Sequence, residues 1–314
     1  VPEPAPRPRD GAPVPTNEDP AILRLMEAPA AEQLPALAAM GWPATSLLIL
    51  MSACDGRCFF CARETVLSPP PELITPWPRV RAWLEAARPV PATRLCLGGT
   101  EPASHPAFED TLRLAQEVGY REVELMSSGR RLAQPGVAER WAALGVRAVC
   151  APLYSADAAA HDAVVGVPGH HAEVVAGLDR ARAAGIRPRV HSLALTATLG
   201  GLRALADLCL DRWGSPLALA PLREKPDLFR YAEHAPAPEA LEAALRGAPL
   251  GLVGSPACFA PGAPRGAPAL ISLYFRSQAT TFAAPCASCA SRPSCPGVVP
   301  AALATFGDGW LRPR

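Results

Sequence analysis

From Ser46 onward, short apolar runs alternate with longer segments whose apolar positions recur every three to four residues. The runs predict strands at Ser46–Met51, Arg94–Leu97, Glu122–Ser127, Ala148–Leu153, Arg187–Leu195 and Pro216–Leu219. The amphipathic segments predict helices near Trp77–Ala87, Ala107–Val118, Pro135–Leu144, Ala172–Ala184 and Leu202–Trp213. Alternation of this kind implies parallel strands with helices outside them, and active groups at the C-terminal strand ends. Upstream, residues 1–20 are rich in proline and nearly free of large apolar groups, which suits an extended or disordered arm. Ala21–Met40 has helical spacing at Ile22, Leu23, Leu25, Met26, Leu34 and Leu37, read as two short helices broken at Pro29 and Pro35 that cap a barrel end. The expected division is 1–45 as an N-terminal extension, 46–235 as an α/β barrel and 236–314 as a small cysteine-rich domain that opens on a helix near Pro238–Leu245.

Charge narrows the partners. The 314 residues carry 30 basic and 29 acidic side chains, a net charge of +1, with no polybasic patch, which argues against nucleic acid. No apolar run is long enough to cross a bilayer and no hydrophobic signal segment precedes the first strand, so no membrane partner is expected. Ten cysteines without such a signal fit a reducing cytoplasm and metal-bound thiolates better than a disulfide framework.

The chemistry concentrates after the first strand, in Cys54-Asp-Gly-Arg-Cys58-Phe-Phe-Cys61. Three thiolates on one tight loop can hold three irons of a cubane cluster and leave the fourth open; a closed zinc or ferredoxin site would want a nearby fourth Cys or His. After the second strand comes Gly98-Gly99-Thr100-Glu101-Pro102, where two glycines let backbone approach a ligand and a carboxylate can accept from an ammonium group. The cysteine loop, this Gly-Gly-x-Glu-Pro segment and Met126-Ser127-Ser128-Gly129 at the third strand end together resemble the radical S-adenosylmethionine (AdoMet) superfamily.

The resemblance implies a partial (β/α)6 TIM-type barrel over about residues 46–196, a [4Fe-4S] cluster on Cys54, Cys58 and Cys61, and AdoMet bound at its open iron. It further implies Phe60 beside the adenine, Gly98, Gly99, Thr100 and Glu101 on the amino group, Ser127 and Ser128 on the ribose or carboxylate, and Ser155 facing the nucleoside. An arginine on the fifth strand usually faces the AdoMet carboxylate. Here the alternation puts His191 nearest that place, with Arg189 on the same face. Tyr154 and His191 are the catalytic candidates. His161-Asp162 is read as opening a helix rather than as an acid–base pair.

Cys258 and Cys286-Ala-Ser-Cys289-Ala-Ser-Arg-Pro-Ser-Cys295 supply a complete four-thiolate shell, for a closed cubane or for structural zinc. This stretch resembles the SPASM and Twitch extensions, which implies a second, auxiliary [4Fe-4S] cluster. Cys96, Cys150 and Cys209 stand in apolar contexts and read as core residues. The family resemblance implies reductive cleavage of AdoMet to a 5′-deoxyadenosyl radical that abstracts hydrogen from substrate, with an electron donor such as flavodoxin or ferredoxin. The leading substrate class is a ribosomally synthesised peptide. A dehydrogenase or epimerase acting on a small metabolite is the alternative, and a non-enzymatic iron–sulfur or zinc redox sensor is a third.

Overall fold

The computed structural model describes residues 25, 28–51, 54–61, 73–88, 92–224, 228–260, 265 and 280–313. The proline-rich arm, Ile22, Leu23 and Met26 of the first helical stretch, and Lys225-Pro226 of the loop after the sixth strand lie outside them.

Seven parallel strands follow one another in chain order: β1 (Thr45–Met51), β2 (Arg94–Gly99), β3 (Glu122–Met126), β4 (Val146–Pro152), β5 (Arg187–Ala194), β6 (Leu217–Pro221) and β7 (Leu250–Leu252). Helices α1 (Ala30–Ala39), α2 (Trp77–Ala86), α3 (Phe108–Glu117), α4 (Val137–Ala143), α5 (Ala158–Val165), α6 (His170–Ala183), α7 (Leu202–Trp213), α8 (Tyr231–His234), α9 (Pro238–Leu245) and α10 (Pro300–Phe306) complete the described regular structure, apart from short 3₁₀ turns. The α/β partial barrel is as expected, but with seven strands. β7 pairs with β6 through Leu217 with Leu250 and Leu219 with Leu252. The sheet therefore continues past residue 235, into the segment assigned to the C-terminal domain. Three residues are too short a run for periodicity to reveal.

The main core lies between sheet and helices, where Leu95, Leu97, Val123, Leu125, Val149 and Val190 meet Leu84, Leu112, Trp141, Leu178 and Leu205. The opposite side chains fill the lumen. Leu47 and Cys96 share one small cluster, and Cys150, Ala218, Ala220 and Val253 share another.

In the N-terminal stretch the two expected breaks have different outcomes. Pro29 is the N-cap of α1, as a break there requires, whereas Pro35 lies inside the helix rather than ending it. An interior proline costs helix stability, and tertiary packing offsets it: Leu37 is fully buried beside Leu47. The wholly buried Gln33 accepts from Leu47 N at 2.8 Å and donates to Leu47 O at 3.0 Å. One amide side chain thus pairs with the outer edge of β1, where an open sheet would expose backbone groups to another strand.

Candidate active site at the barrel mouth

Parallel register brings the chemistry-bearing loops to one rim, because each follows the C-terminal end of its strand. The β1–β2 ladder slips between Ile49 and Met51, so that Met51 faces Gly99 as β1 gives way to the cysteine loop. In that loop Cys54, Cys58 and Cys61 are all partly exposed, in contrast to the buried Cys96, Cys150 and Cys209. Gly56 lies between two of the thiols: a Cβ there would stand 3.6 Å from Cys54 Sγ and 3.7 Å from Cys58 Sγ. Its N–H donates to Cys54 Sγ at 3.4 Å. Arg57 N–H donates to Val165 O at 2.8 Å at the end of α5, and Gly166, in the left-handed region at φ +73°, leaves room for the Arg57 backbone. The Asp55 carboxylate takes Arg130 Nη1 at 2.6 Å, and Arg130 also pairs with Glu173 on α6.

The second loop is organised by Glu101. Gly99 adopts φ +118°, a conformation only glycine holds without strain, and turns the chain so that Glu101 points inward and is almost wholly buried. Its carboxylate accepts from Ala103 N at 3.2 Å, Ser127 Oγ at 2.8 Å and Ser128 N at 2.7 Å. Burial still wins, raising the Glu101 pKa from its usual value against those donors, and the negative charge of Asp55 adds to the rise. Arg131 donates to Ala103 O from the far side. The segment Ser127–Arg131 therefore holds the Gly-Gly loop through Glu101 and the cysteine loop through Asp55.

On this geometry several of the expected site residues also make bonds within the protein. The Ser127 hydroxyl is spent on Glu101 and on Gly129 N, and Ser128 reaches Glu101 through its backbone N–H. They shape the loop from inside. Ser155 Oγ accepts from Asp157 N at 3.1 Å, in a turn that leads into α5. Arg189 points into the lumen as the alternation predicted, but its guanidinium ends on the buried Glu124 at 3.1 Å, which satisfies the charge expected for an AdoMet carboxylate. His191, one pleat nearer the mouth, sits 3.6 Å from Cys150 Sγ, and burial lowers its pKa to about 4; it is a neutral imidazole at pH 7. His161 does not open a helix. Asp157 caps α5, whereas Asp162 accepts from Gly169 N at 2.6 Å and His171 N at 2.8 Å and so caps the following helix, α6. Thr100 is half-buried beside Gly99.

Above the lumen a second apolar cluster closes over the site. Tyr154, Leu195, Leu222, Tyr231, Cys258 and Cys286 form it, with Cys58, Phe59 and Phe60 packed on its edge. Phe60 meets Tyr154 edge to face at 5.4 Å, and Phe59 does the same to Phe229 at 5.7 Å. The C-terminal cysteines reach this cluster from β7 and from a turn over Ala284–Ser288. Ala257 N and Gly297 N both donate to Cys295 Sγ at 3.4 Å, which brings the Cys258 region onto the Cys286–Cys295 stretch.

Among the described residues no three His, Cys, Asp or Glu side chains converge as ligands of a single metal ion. A cubane asks for something else, one thiolate per iron around a larger core, and the Cys54–Cys61 loop has that donor set. Burial raises Cys54 well above an ordinary thiol and pushes Cys58 up to about 12. Two thiols at the mouth of a barrel ionise only if positive charge is brought to them, which a coordinated metal core does outright. The residues therefore fit an iron–sulfur cluster.

The three-cysteine loop thus lies at the mouth of an open parallel barrel, beside a glycine-turned, carboxylate-braced loop. Residues 48–201 match the family model described as Radical SAM superfamily, and the chain belongs to that superfamily of enzymes. It is 27% identical over 158 residues to the AdoMet-dependent heme synthase of Nitratidesulfovibrio vulgaris, a stretch that is 50% of this chain and 42% of that protein. In fold it is similar to native anSMEcpe with bound AdoMet, at a TM-score of 0.52 and 14% identity over 64% of this chain and 58% of that one. Streptococcus suis SuiB aligns with a TM-score of 0.49 and 16% identity, over 76% and 54%. The chain spans about half the length of the proteins it matches.

Proposed function

We propose that Cys54, Cys58 and Cys61 hold a [4Fe-4S] cluster that binds AdoMet, and that the enzyme modifies a ribosomally synthesised peptide. When bound, cluster and AdoMet supply reductive cleavage and the abstraction of hydrogen from an unactivated C–H bond; an external donor such as a flavodoxin or ferredoxin supplies the electron. The protein's share is placement and exclusion of water. The Gly98–Glu101 loop presents backbone and carboxylate to the AdoMet amino group, Phe60 offers a ring face to the adenine, and the apolar cluster around Tyr154 and Leu222 keeps solvent from the mouth. Neutral His191 and the Cys150 thiol line the floor beneath.

The observation that carries this reading is the bracing of the cysteine and Gly-Gly loops by one segment, through Arg130 to Asp55 and through Ser127 and Ser128 to Glu101. A structural zinc loop has no need of an amino-acid site held rigidly beside it. Cys258, Cys286, Cys289 and Cys295 are assigned to an auxiliary [4Fe-4S] cluster, with zinc as the competing occupant. The peptide assignment is supported by a fold relative, anSMEcpe, whose structure holds AdoMet together with the Cp18Cys peptide. The alternative, a small-metabolite substrate, is supported by the resemblance to a heme synthase.

The test is iron and sulfide content with EPR on anaerobically reconstituted protein and on a Cys54/Cys58/Cys61→Ala triple variant. Two clusters in the wild type and one in the variant are expected. A wild type whose cluster signal does not respond to AdoMet overturns the assignment. A variant that keeps zinc and no iron makes the C-terminal site structural and favours the small-metabolite substrate.

A further inference from the structure

The lumen floor beneath the mouth carries an ion pair that is open on one side only. Arg189, on β5, donates from Nη1 to Glu124 Oε1, on β3, at 3.1 Å. The arginine side chain is 31% exposed and the carboxylate 6%. Glu124 is therefore sealed beneath, and the guanidinium forms the face that the lumen sees. Register fixes its depth: Arg189 lies beside Cys150, and Cys150 beside Met126, the last residue of β3, so the pair sits just below the loops of the rim. Toward the mouth, His191 and Leu193 are partly exposed like Arg189, and their neighbours on β6 are only Ala218 and Ala220. Small side chains beside partly exposed ones leave room next to the guanidinium, open to the mouth.

A guanidinium has several N–H donors in a fixed fork, and the bond to Glu124 uses one of them. Its charge, by contrast, is already balanced. Beside it His191 is a neutral imidazole, and burial raises Cys150 so that it stays a thiol. The floor thus offers hydrogen-bond donors without net charge. A second carboxylate brought there would crowd the buried Glu124 with only one cation between them, whereas a neutral carbonyl takes the same N–H without that cost. We propose that Arg189, with its charge balanced by Glu124, is a specificity-determining residue that donates to a neutral carboxamide of the peptide substrate in the lumen and turns a carboxylate away. This deepens the peptide reading above and rests on it. The balance is the selective device, because the same arginine without Glu124 would be a carboxylate receptor.

Small probes test this without the natural peptide. Carbon-deuterated butanamide and carbon-deuterated butanoate are each supplied during AdoMet cleavage by the anaerobically reconstituted, dithionite-reduced enzyme. Deuterium in the 5′-deoxyadenosine formed is read by mass spectrometry, since a probe held in the lumen gives its deuterium to C5′. The wild type is expected to take about three- to tenfold more label from the amide than from the acid, the worth of one net hydrogen bond. Glu124→Gln, which unbalances the arginine, is expected to reverse the preference, and Arg189→Met to erase it. Glu124→Gln/Arg189→Met removes both charges together and serves where Glu124→Gln alone does not fold; it too is expected to show no preference. Equal label from the two probes in the wild type, more from the acid, or none from either overturns the proposal. So does an amide preference that survives in Arg189→Met or the double variant, which makes the pair structural, or in Glu124→Gln, which leaves the charge balance no part. AdoMet binding is measured by calorimetry on the same samples, and a loss of about tenfold in Arg189→Met assigns the arginine to the AdoMet carboxylate and also overturns it. A wild type that forms no 5′-deoxyadenosine instead fails at the AdoMet assignment itself, before the probes are compared.

Discussion

The two cysteine regions are held by different forces. The Cys54–Cys61 loop hangs on polar bonds to two neighbours: Asp55 on Arg130, in the Ser127–Arg131 segment that also grips Glu101, and Arg57 N on Val165 O. The Cys286–Cys295 turn has short backbone turns, two N–H donors on Cys295, and an apolar cushion of Val298, Val299, Ala301 and Ala302. A site held by directional bonds is preorganised for a ligand but fails when one bond is lost; a site set on apolar packing tolerates local change. The difference suits the two roles proposed above, a catalytic centre in the first region and a supporting one in the second.

The largest effect that separates them is on turnover. Cys58→Ala is expected to abolish AdoMet cleavage while the circular dichroism spectrum and melting temperature of the apo chain stay at wild-type values. Cys289→Ala is expected to keep uncoupled AdoMet cleavage and lose turnover of the true substrate. Cleavage that persists in the first variant would remove the distinction altogether.

Next comes the brace. At Gly177 on α6 a Cβ would stand 2.1 Å from Gly129 O, which is backbone and cannot step aside. Gly177→Ala is expected to cost about 2–3 kcal/mol in denaturant unfolding, and to lower iron retention at the first site while the second keeps its metal. Equal loss at both sites would mean that the brace supports the whole mouth.

Glu101→Gln keeps shape but turns one acceptor into a donor facing Ser128 N or Ser127 Oγ. It is expected to weaken AdoMet binding, read by calorimetry, about tenfold or more, as the loss of about 1.5–3 kcal/mol from bonds to a charged acceptor implies. The C-terminal metal content should not move.

The histidine pair behind the first region, with His161 Nε2 and His170 Nδ1 2.9 Å apart, gives a pH signature that the second lacks. Burial lowers His161 and His170 to about 3 and about 4, so between pH 6.5 and 4 the unfolded chain binds protons that the folded chain refuses. Their contribution is complete above pH ~6.5 and is lost as pH falls, by up to about 1.4 kcal/mol per pH unit for each ring. Urea midpoints of the apo chain at pH 7, 6 and 5 should show this fall, to which His191 also contributes, and His170→Asn should make it shallower.

The smallest effect is expected at a surface charge of the second region. Arg312 pairs with Glu242 on α9 at 2.9 Å with more than half of its side chain exposed, and Arg312→Ala should leave the urea midpoint at the wild-type value. A lower midpoint would show that charge, too, holds the C-terminal turn.

Much of this was legible beforehand. Six strands fell within a residue or two of their places because apolar runs of five to eight residues announce themselves, and the cysteine and glycine motifs marked the ends of β1 and β2. Other features depended on partners distant in the chain. Arg189 gave no sign of its partner, because Glu124 lies 65 positions away. Ser127 read as a ligand contact because its acceptor, Glu101, comes from another strand end. Gln33 carried no signal at all, since pairing with the edge of β1 is visible only once that edge is known to be open.

The amino-acid sequence by itself determined the parallel α/β alternation, the cysteine spacing suited to a cluster and the glycines that turn the chain beside it, because these rest on local periodicity, short-range spacing and the steric freedom of single residues. The tertiary structure alone decided which polar groups were already spent, that a seventh strand extends the sheet, and that Tyr154 meets Phe60. Those outcomes follow from parallel register, which brings residues far apart in the chain to one rim, where burial and pairing settle what each side chain is left to do.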